Sequence, residues 1–261
     1  LFGSYGGGIV GAFDLDGKKA LVTGASKGIG RAIALAFAEA GADVAINARS
    51  ADALAELAKE IQALGREAVV VPADLTDREA AAKTVEDAVA GLGHLDIVVN
   101  NAGGSNFLVE FKDLRLTGWD KIMRLNLDSA MAVCHAAAPH LLGRGKGSVI
   151  NIASAAALGA PFLAPYAAAK AGLVALTKTL ALEWALSGVR VNALLPGWTA
   201  TDLNRNLWDD GEGGKATVAG VPMRRWATVE EIAQPAVFLA SDASSYMTGQ
   251  MLIVDGGLTT A

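Results

Sequence analysis

Seven short apolar runs recur along the chain, each set apart by a longer stretch with helical patterning. This alternation limits the fold more than any single motif does. The runs are KALVT (19–23), DVAIN (43–47), AVVVP (68–72), LDIVVN (95–100), SVINI (148–152), VRVNAL (189–194) and MLIVD (251–255). Several are apolar almost throughout, as strands covered on both faces must be. Helical patterns lie between them near 28–40, 51–64, 77–91, 118–138, 164–186 and 229–240. Strands and helices in this order predict an α/β fold, a doubly wound parallel sheet with helices on both faces. No glycine/proline-rich linker and no internal repeat divides the 261 residues, so residues 13–261 are expected to form a single domain. Residues 1–12, LFGSYGGGIVGA, are glycine-rich and lack the basic start of a signal peptide; they read as a flexible or cloning-derived leader.

Composition removes several function classes. With 52% hydrophobic and 19% charged residues the chain is not disordered. A net charge of −5 with no basic block argues against nucleic acid and anionic membrane as partners. The single cysteine, Cys134, sits in an apolar run and permits no intrachain disulfide, which fits a reducing, cytoplasmic setting. No apolar run reaches the ~20 residues needed to span a bilayer.

The first strand leads into TGASKGIGRAIALAF, in which Gly24, Gly28 and Gly30 are spaced G-x-x-x-G-x-G. A strand–turn–helix of this kind suits a dinucleotide. Gly24 allows a sharp turn, Gly28 a close approach to a pyrophosphate, and Gly30 close packing of helix on sheet. The helix N-terminus then offers N–H groups and a positive dipole end to the phosphates. About twenty residues on, a site for the unphosphorylated cofactor needs a carboxylate for the ribose hydroxyls. Here the second strand ends in INARS, with Ala48 in the place of the acid and Arg49 after it. Losing the acid removes repulsion of a 2′-phosphate, and a guanidinium gives it a bidentate partner. Lys27 adds a second cation, so the predicted cofactor is NADP(H).

A nicotinamide enzyme needs a proton donor or acceptor beside the substrate oxygen. Tyr166 and Lys170 lie four residues apart and share a helix face. An adjacent ammonium is expected to lower the phenol's pKa, making Tyr166 a general acid/base. Ser154, after the strand SVINI, can hold the substrate oxygen. Asn126, within a long helical pattern, can bind a backbone carbonyl or a water near Lys170. The helix at 166–186 is apolar on nearly every face, which predicts a second subunit against it. Residues 202–225, polar and glycine-rich, follow a strand and are expected to form a lid over a pocket. No metal is expected: His94, His135 and His140 are the only histidines, and no cysteine or histidine cluster accompanies them.

The motifs TGASKGIG, NNAG (100–103), Asn126, Ser154, YAAAK (166–170), PGWTATD (196–202) and SDASSYMTGQMLIVDGG (241–257) occur in the order of the short-chain dehydrogenase/reductase family, which the chain resembles from about residue 14 to its end. The single-domain, NADP-preferring branch is the most similar, including 3-oxoacyl-acyl-carrier-protein reductases. The resemblance implies a Rossmann-type sheet of seven parallel strands in the order 3-2-1-4-5-6-7. It implies Tyr166 as acid/base, Lys170 as the group that lowers its pKa and binds the nicotinamide ribose, Ser154 as the orienting hydroxyl and Asn126 as holder of a relay water. The implied cofactor-binding set is Gly24, Ser26, Lys27, Gly28, Ile29, Gly30, Arg49, Ser50, Asp74, Leu75, Asn101, Ala102, Gly103, Tyr166, Lys170, Pro196, Gly197, Thr199 and Thr201. A homotetramer built partly through the helices carrying Asn126 and Tyr166 is also implied.

The reaction expected is hydride transfer between nicotinamide C4 and a carbonyl or secondary alcohol. A sugar, steroid or small ketone is the alternative to an acyl-carrier-bound substrate. Arg115, Arg124, Arg205, Arg224 and Arg225 are candidates for meeting an acidic carrier, and Trp198, Trp208 and Phe162 for lining an apolar pocket. A non-catalytic sensor would keep the glycine turn but lose the tyrosine, lysine or serine, all of which are present. Two departures from the family pattern stand out. The segment from Ser154 to Tyr166 is about one residue short and carries Pro161 and Pro165, and Ala227 replaces the usual glycine in RRWAT, where only a local adjustment of the helix start is expected.

Overall fold

The computed structural model describes residues 9–105 and 107–260. One sheet holds all seven strands, in the order β3-β2-β1-β4-β5-β6-β7, and every neighbouring pair is parallel. The strands are β1 (Lys19–Thr23), β2 (Asp43–Ala48), β3 (Ala68–Pro72), β4 (Ile97–Asn100), β5 (Gly147–Ile152), β6 (Val189–Pro196) and β7 (Met251–Val254). The longer helices are α1 (Gly28–Glu39), α2 (Ala51–Ala63), α3 (Arg78–Leu92), α4 (Leu116–Met123), α5 (Ser129–Arg144) and α6 (Ala164–Trp184). The short α7 (Arg205–Trp208) and α8 (Gly211–Thr217) follow β6, and α9 (Glu230–Ala240) precedes β7.

Strand periodicity divides the core into two layers. Ala20, Val22, Ile97 and Val99 face one layer with Ile33 and Phe37 of α1, Leu54, Leu57 and Ile61 of α2, and Ile232 and Leu239 of α9. Leu21 and Val98 face the other with Val85 of α3, Val133 and Leu141 of α5, and Trp184 of α6. The central strands are therefore apolar on both sides, which is why they read as continuous hydrophobic runs.

Four expectations are adjusted. Of the leader assigned to residues 1–12, residues 1–8 lie outside the described residues, whereas Ile9–Phe13 form a 3-10 turn and the Phe13 ring sits 6.1 Å from Phe238. The helix expected over 118–138 runs from Leu116 to Arg144 and is interrupted by a π-turn, Arg124–Asp128. The segment 202–225 is more ordered than its glycines suggest, since it includes the 3-10 turn Asp202–Asn204, α7 and α8. Ala227 adjusts more than a helix start: its N–H donates to Trp198 O (2.9 Å) and its carbonyl accepts from Ala200 (2.9 Å), so it extends the exit from β6.

Candidate active site

Each residue read as functional lies at or just beyond the carboxyl end of a strand or on a helix packed over that rim. Gly24 follows β1, Arg49 follows β2, Asp74 follows β3, Asn101–Gly103 follow β4, Ser154 follows β5, and Gly197–Thr201 follow β6. The strand order reverses between β1 and β4, and open α/β sheets bind ligands in the crevice at such a point.

The glycine turn is built from backbone that side chains would obstruct. Gly24 and Gly28 have φ of +64° and +57°. A Cβ at Gly30 would fall on Asn101 Nδ2 and the carbonyl oxygen of Gly24. Asn101 Nδ2 donates to Thr23 O (2.9 Å) and Gly24 O (3.1 Å), and Thr23 Oγ1 accepts the N–H groups of Asn101 (2.9 Å) and Ala102 (3.1 Å). β1 and β4 are thereby stitched together at the turn. No side chain caps the N-terminus of α1: Lys27 is extended and makes no capping bond. The open N–H groups and the Cβ-free surface at Gly28 fit a pyrophosphate. Arg49 is exposed beside the buried Ala48. Asp74 accepts from Thr76 N (3.0 Å) and Oγ1 (2.9 Å); the backbone N–H of Thr76, with a smaller pull from Arg49, holds its carboxyl below the usual range. Ser50 caps α2 by accepting from Ala53 N (3.4 Å).

Lys170 is buried, and its Nζ donates to Ile152 O at 2.7 Å while lying 5.6 Å from the centre of the Tyr166 ring. Burial pulls its pKa down to about 8. Burial also pushes the Tyr166 phenol above its ordinary value, and a hydrogen bond with Ser154 acts in the opposite direction. The net direction is the reverse of the lowering expected from the Lys170 ammonium, because desolvation of the phenolate dominates. Tyr166 is thus protonated at neutral pH. Ser154 Oγ accepts from Ala156 N (3.1 Å), which leaves its own O–H for the tyrosine oxygen.

Asn126 sits in the π-turn, a local irregularity common at functional sites. Its Oδ1 accepts from Gly104 N (2.7 Å), and its Nδ2 donates to Gly104 O (3.0 Å) and Ile122 O (3.0 Å). Both amide protons are therefore committed to backbone, and the side chain clamps the loop after β4. Gly103 runs close over this clamp, for a Cβ there would lie 2.7 Å from Asn126 Oδ1 and 3.1 Å from Lys170 Nζ. Sequence reasoning missed Gly104, Thr23 and the carbonyl of Ile152. The doubled glycine at 103–104 was the one available signal. Leu203, after β6, reaches the other side of Gly104, 2.8 Å from where its Cβ would stand.

At the substrate end, Thr199 is buried, and Thr201 N (2.9 Å) and Oγ1 (2.8 Å) both donate to Asn204 Oδ1. Indole N–H groups pin the segment 202–225 at two points, Trp208 to Thr201 O (2.9 Å) and Trp226 to Gly214 O (2.9 Å). Among the described residues only Phe162 (φ +66°) and Arg224 (φ +54°) are non-glycine residues in left-handed conformation, one in the segment before Tyr166 and the other at the end of 202–225. Two of the arginines considered for an acidic carrier are already paired, Arg205 with Asp202 (2.8 Å) and Arg225 with Glu231 (2.6 Å). Among the described residues no cluster of three or more metal-ligating side chains occurs, and no helix is long and apolar enough to cross a membrane.

A doubly wound sheet with an uncapped glycine turn at its switch point, and a tyrosine, lysine and serine gathered on the same rim, fits a dinucleotide-dependent oxidoreductase. The chain belongs to the short-chain dehydrogenase/reductase family. A family model described as "Enoyl-(Acyl carrier protein) reductase" matches residues 24–259. The gluconate 5-dehydrogenase of Gluconobacter oxydans is 38% identical over 250 residues, covering 95% of this chain and 97% of the relative. The 3-oxoacyl-[acyl-carrier-protein] reductase of Thermotoga maritima is 37% identical, covering 94% and 98%. The crystal structure of a gluconate 5-dehydrogenase from Burkholderia cenocepacia in complex with NADP and tartrate superposes with a TM-score of 0.92 at 39% identity, covering 97% of this chain and all of that one.

Proposed function

We propose that the chain is an NADP(H)-dependent dehydrogenase/reductase of small hydroxylated substrates, sugar acids or polyols, with Tyr166, Ser154, Lys170 and Asn126 as its catalytic residues. The observation that carries this reading is the half-buried Tyr166 side chain, with Ser154 beside its phenol and the Lys170 ammonium 5.6 Å from its ring centre, on the rim that holds the glycine turn. When bound, NADP(H) supplies or accepts the hydride at nicotinamide C4. Gly28 and the N-terminus of α1 receive the phosphates, and Arg49 and Lys27 meet the 2′-phosphate. Gly24, Ser26, Ile29, Gly30, Ser50, Asp74, Leu75, Asn101, Ala102, Gly103, Pro196, Gly197, Thr199 and Thr201 complete the cleft.

Ser154 orients the substrate oxygen. Tyr166 as the phenol donates its proton to that oxygen during reduction, and as the phenolate takes the proton of the alcohol during oxidation. Lys170 carries positive charge near neutrality and loses it around its pKa of about 8. Asn126 holds the Gly104 loop in place beside both.

The substrate class rests on the two gluconate 5-dehydrogenases, one of them solved with tartrate, and on the pairing of Arg205 and Arg225, which leaves fewer cations for an acidic carrier. A 3-oxoacyl thioester is the second reading. It is favoured by the T. maritima relative and by Arg115, Arg124 and Arg224, which make no ion pair among the described residues. Copies of the chain assemble as a homotetramer, partly through the helical segment that carries Asn126 and through α6, which carries Tyr166. Ala171, Ala175 and Leu182 on α6, and Leu186 in the 3-10 turn after it, are exposed, and a partner helix would cover them. Residues 13–261 act as one domain, in the cytoplasm.

The test is turnover with NADP(H) against gluconate, four-carbon polyols and an acetoacetyl thioester, for wild type and Tyr166→Phe. Wild type should turn over a polyol or sugar acid, and Tyr166→Phe should lose about 10²-fold or more in kcat. Full activity in Tyr166→Phe overturns the mechanism, whereas a preference for the thioester moves the substrate to the second reading.

A further inference from the structure

Lys170 and Thr177 stand seven residues, two turns, apart on one face of α6. Each is buried, and each meets β5 through a directional bond. Lys170 Nζ donates to the carbonyl of Ile152 (2.7 Å), and the adjacent residue, Asn151, donates through Nδ2 to Thr177 Oγ1 (2.8 Å). The proton of Thr177 goes back to Leu173 O (2.8 Å), which fixes its lone pair toward Asn151. Asn151 Oδ1 in turn accepts from Asn100 Nδ2 (2.8 Å) on β4. Asn100 is the residue before Asn101, the clip on the glycine turn. Asn100, Asn151 and Thr177 are all almost fully buried. Asn100 Oδ1 is the one buried side-chain nitrogen or oxygen among the described residues that lacks a partner. A core that keeps a polar line in spite of an unsatisfied oxygen is giving up stability for geometry.

What that geometry controls follows from the rest of α6. Its other buried contacts are made by Pro165, Ala169, Leu173, Ala181 and Trp184. Such surfaces resist separation from the sheet but only weakly resist sliding or rolling, because the hydrophobic effect has no direction. Tyr166 and Lys170 must nevertheless meet Ser154 and Ile152, which extend from β5. We propose that the Asn100–Asn151–Thr177 line is a positioning device for the reaction, with Thr177 as the residue that sets the register of α6 on β5 and so places Tyr166 and Lys170 against Ser154 and Ile152.

This inference rests on the proposed roles of Tyr166 and Lys170. The variants are Thr177→Val, which keeps the shape and removes the hydroxyl, and Thr177→Ser, which keeps the hydroxyl. Melting temperature, kcat, the KM for NADPH and the pH profile of kcat are measured for each, at a temperature well below the melting transition. Thr177→Val should lose about tenfold or more in kcat, as misplacement of reacting groups does. Its KM for NADPH should stay within about twofold, and the inflection of its pH profile should shift. Thr177→Ser should recover both kcat and the profile. If Thr177→Val does not fold, Thr177→Ala, which leaves room for a water to pair with Asn151, is read in the same way. Wild-type kcat and pH profile in the hydroxyl-free variant would overturn the proposal. So would an equal loss in Thr177→Ser, which would mean that only packing of the methyl group matters. Tyr166→Phe separates the two levels. If that variant is fully active the catalytic reading falls, and if it is inactive while Thr177→Val is normal only the positioning role falls.

Discussion

Placing a methyl group at Gly103 tests the clamp at the centre of the site. The position needs no left-handed backbone, so Gly103→Ala acts through space alone. Its Cβ would lie 2.7 Å from Asn126 Oδ1, closer than real Cβ contacts come, and 3.1 Å from Lys170 Nζ. Asn126 cannot retreat freely, because it is bound to Gly104 N (2.7 Å), Gly104 O (3.0 Å) and Ile122 O (3.0 Å). Giving up the two bonds to Gly104, at about 0.5–1.5 kcal/mol each, amounts to about 1–3 kcal/mol. If the loss is felt in the transition state, kcat falls by about 5- to 150-fold. The Cβ is directed at Asn126 and Lys170, so NADPH affinity should change less than kcat. The assay is steady-state kcat at saturating NADPH beside the NADPH dissociation constant from fluorescence. A folded Gly103→Ala enzyme with kcat within twofold of wild type would refute the argument that Asn126 and Lys170 depend on this clamp.

Two further outcomes follow from the charges on the protein. Arg49→Ala should raise the KM for NADPH by about tenfold or more, the worth of a charge-assisted bond, and leave the KM for NADH nearly unchanged; equal KM values for NADPH before and after would remove Arg49 from the phosphate site. Burial alone would raise the pKa of Asp96, but the N–H of Lys19 and the charges of His94 and Arg144 outweigh it and hold the carboxyl below its usual range. A carboxyl depressed in the folded state adds stability above its unfolded value of about 3.9, and that stability disappears as pH falls through the folded value. Melting curves should therefore show wild type losing stability below about pH 4, and Asp96→Asn should be weaker at pH 7 with a shallower acid limb. An identical acid limb in the two proteins would show that this cluster does not contribute.

The strands were legible because the sheet is covered on both sides, which leaves runs such as LDIVVN and SVINI with no polar face. The six helices between them followed from the helical patterning of the intervening stretches, and the glycine turn from its place between the first strand and helix. The π-turn at Arg124–Asp128 was not legible, because one inserted residue scarcely disturbs an apolar pattern that continues on both sides. The helical character of residues 211–217 was hidden by Gly211, Gly213 and Gly214, poor helix formers whose turn is held from outside by the Trp226 indole on Gly214 O. The direction of the Tyr166 shift depends on the desolvation of its phenol by the surrounding fold, and a four-residue spacing carries no such information. For the same reason Asn151 and Thr177 passed as ordinary polar residues in apolar runs until the fold brought them to 2.8 Å.

The buried Asp96 carboxylate lies at the amino end of β4, where it receives Lys19 N (3.1 Å), His94 (3.0 Å) and Arg144 (3.1 Å) at the foot of the sheet. The crevice opens at the opposite end of the same strand. Robustness and chemistry are thus anchored a full strand length apart. Evolution or an engineer can harden the lower margin against heat or acid while the upper margin is recut for a new alcohol, with little trade between the two.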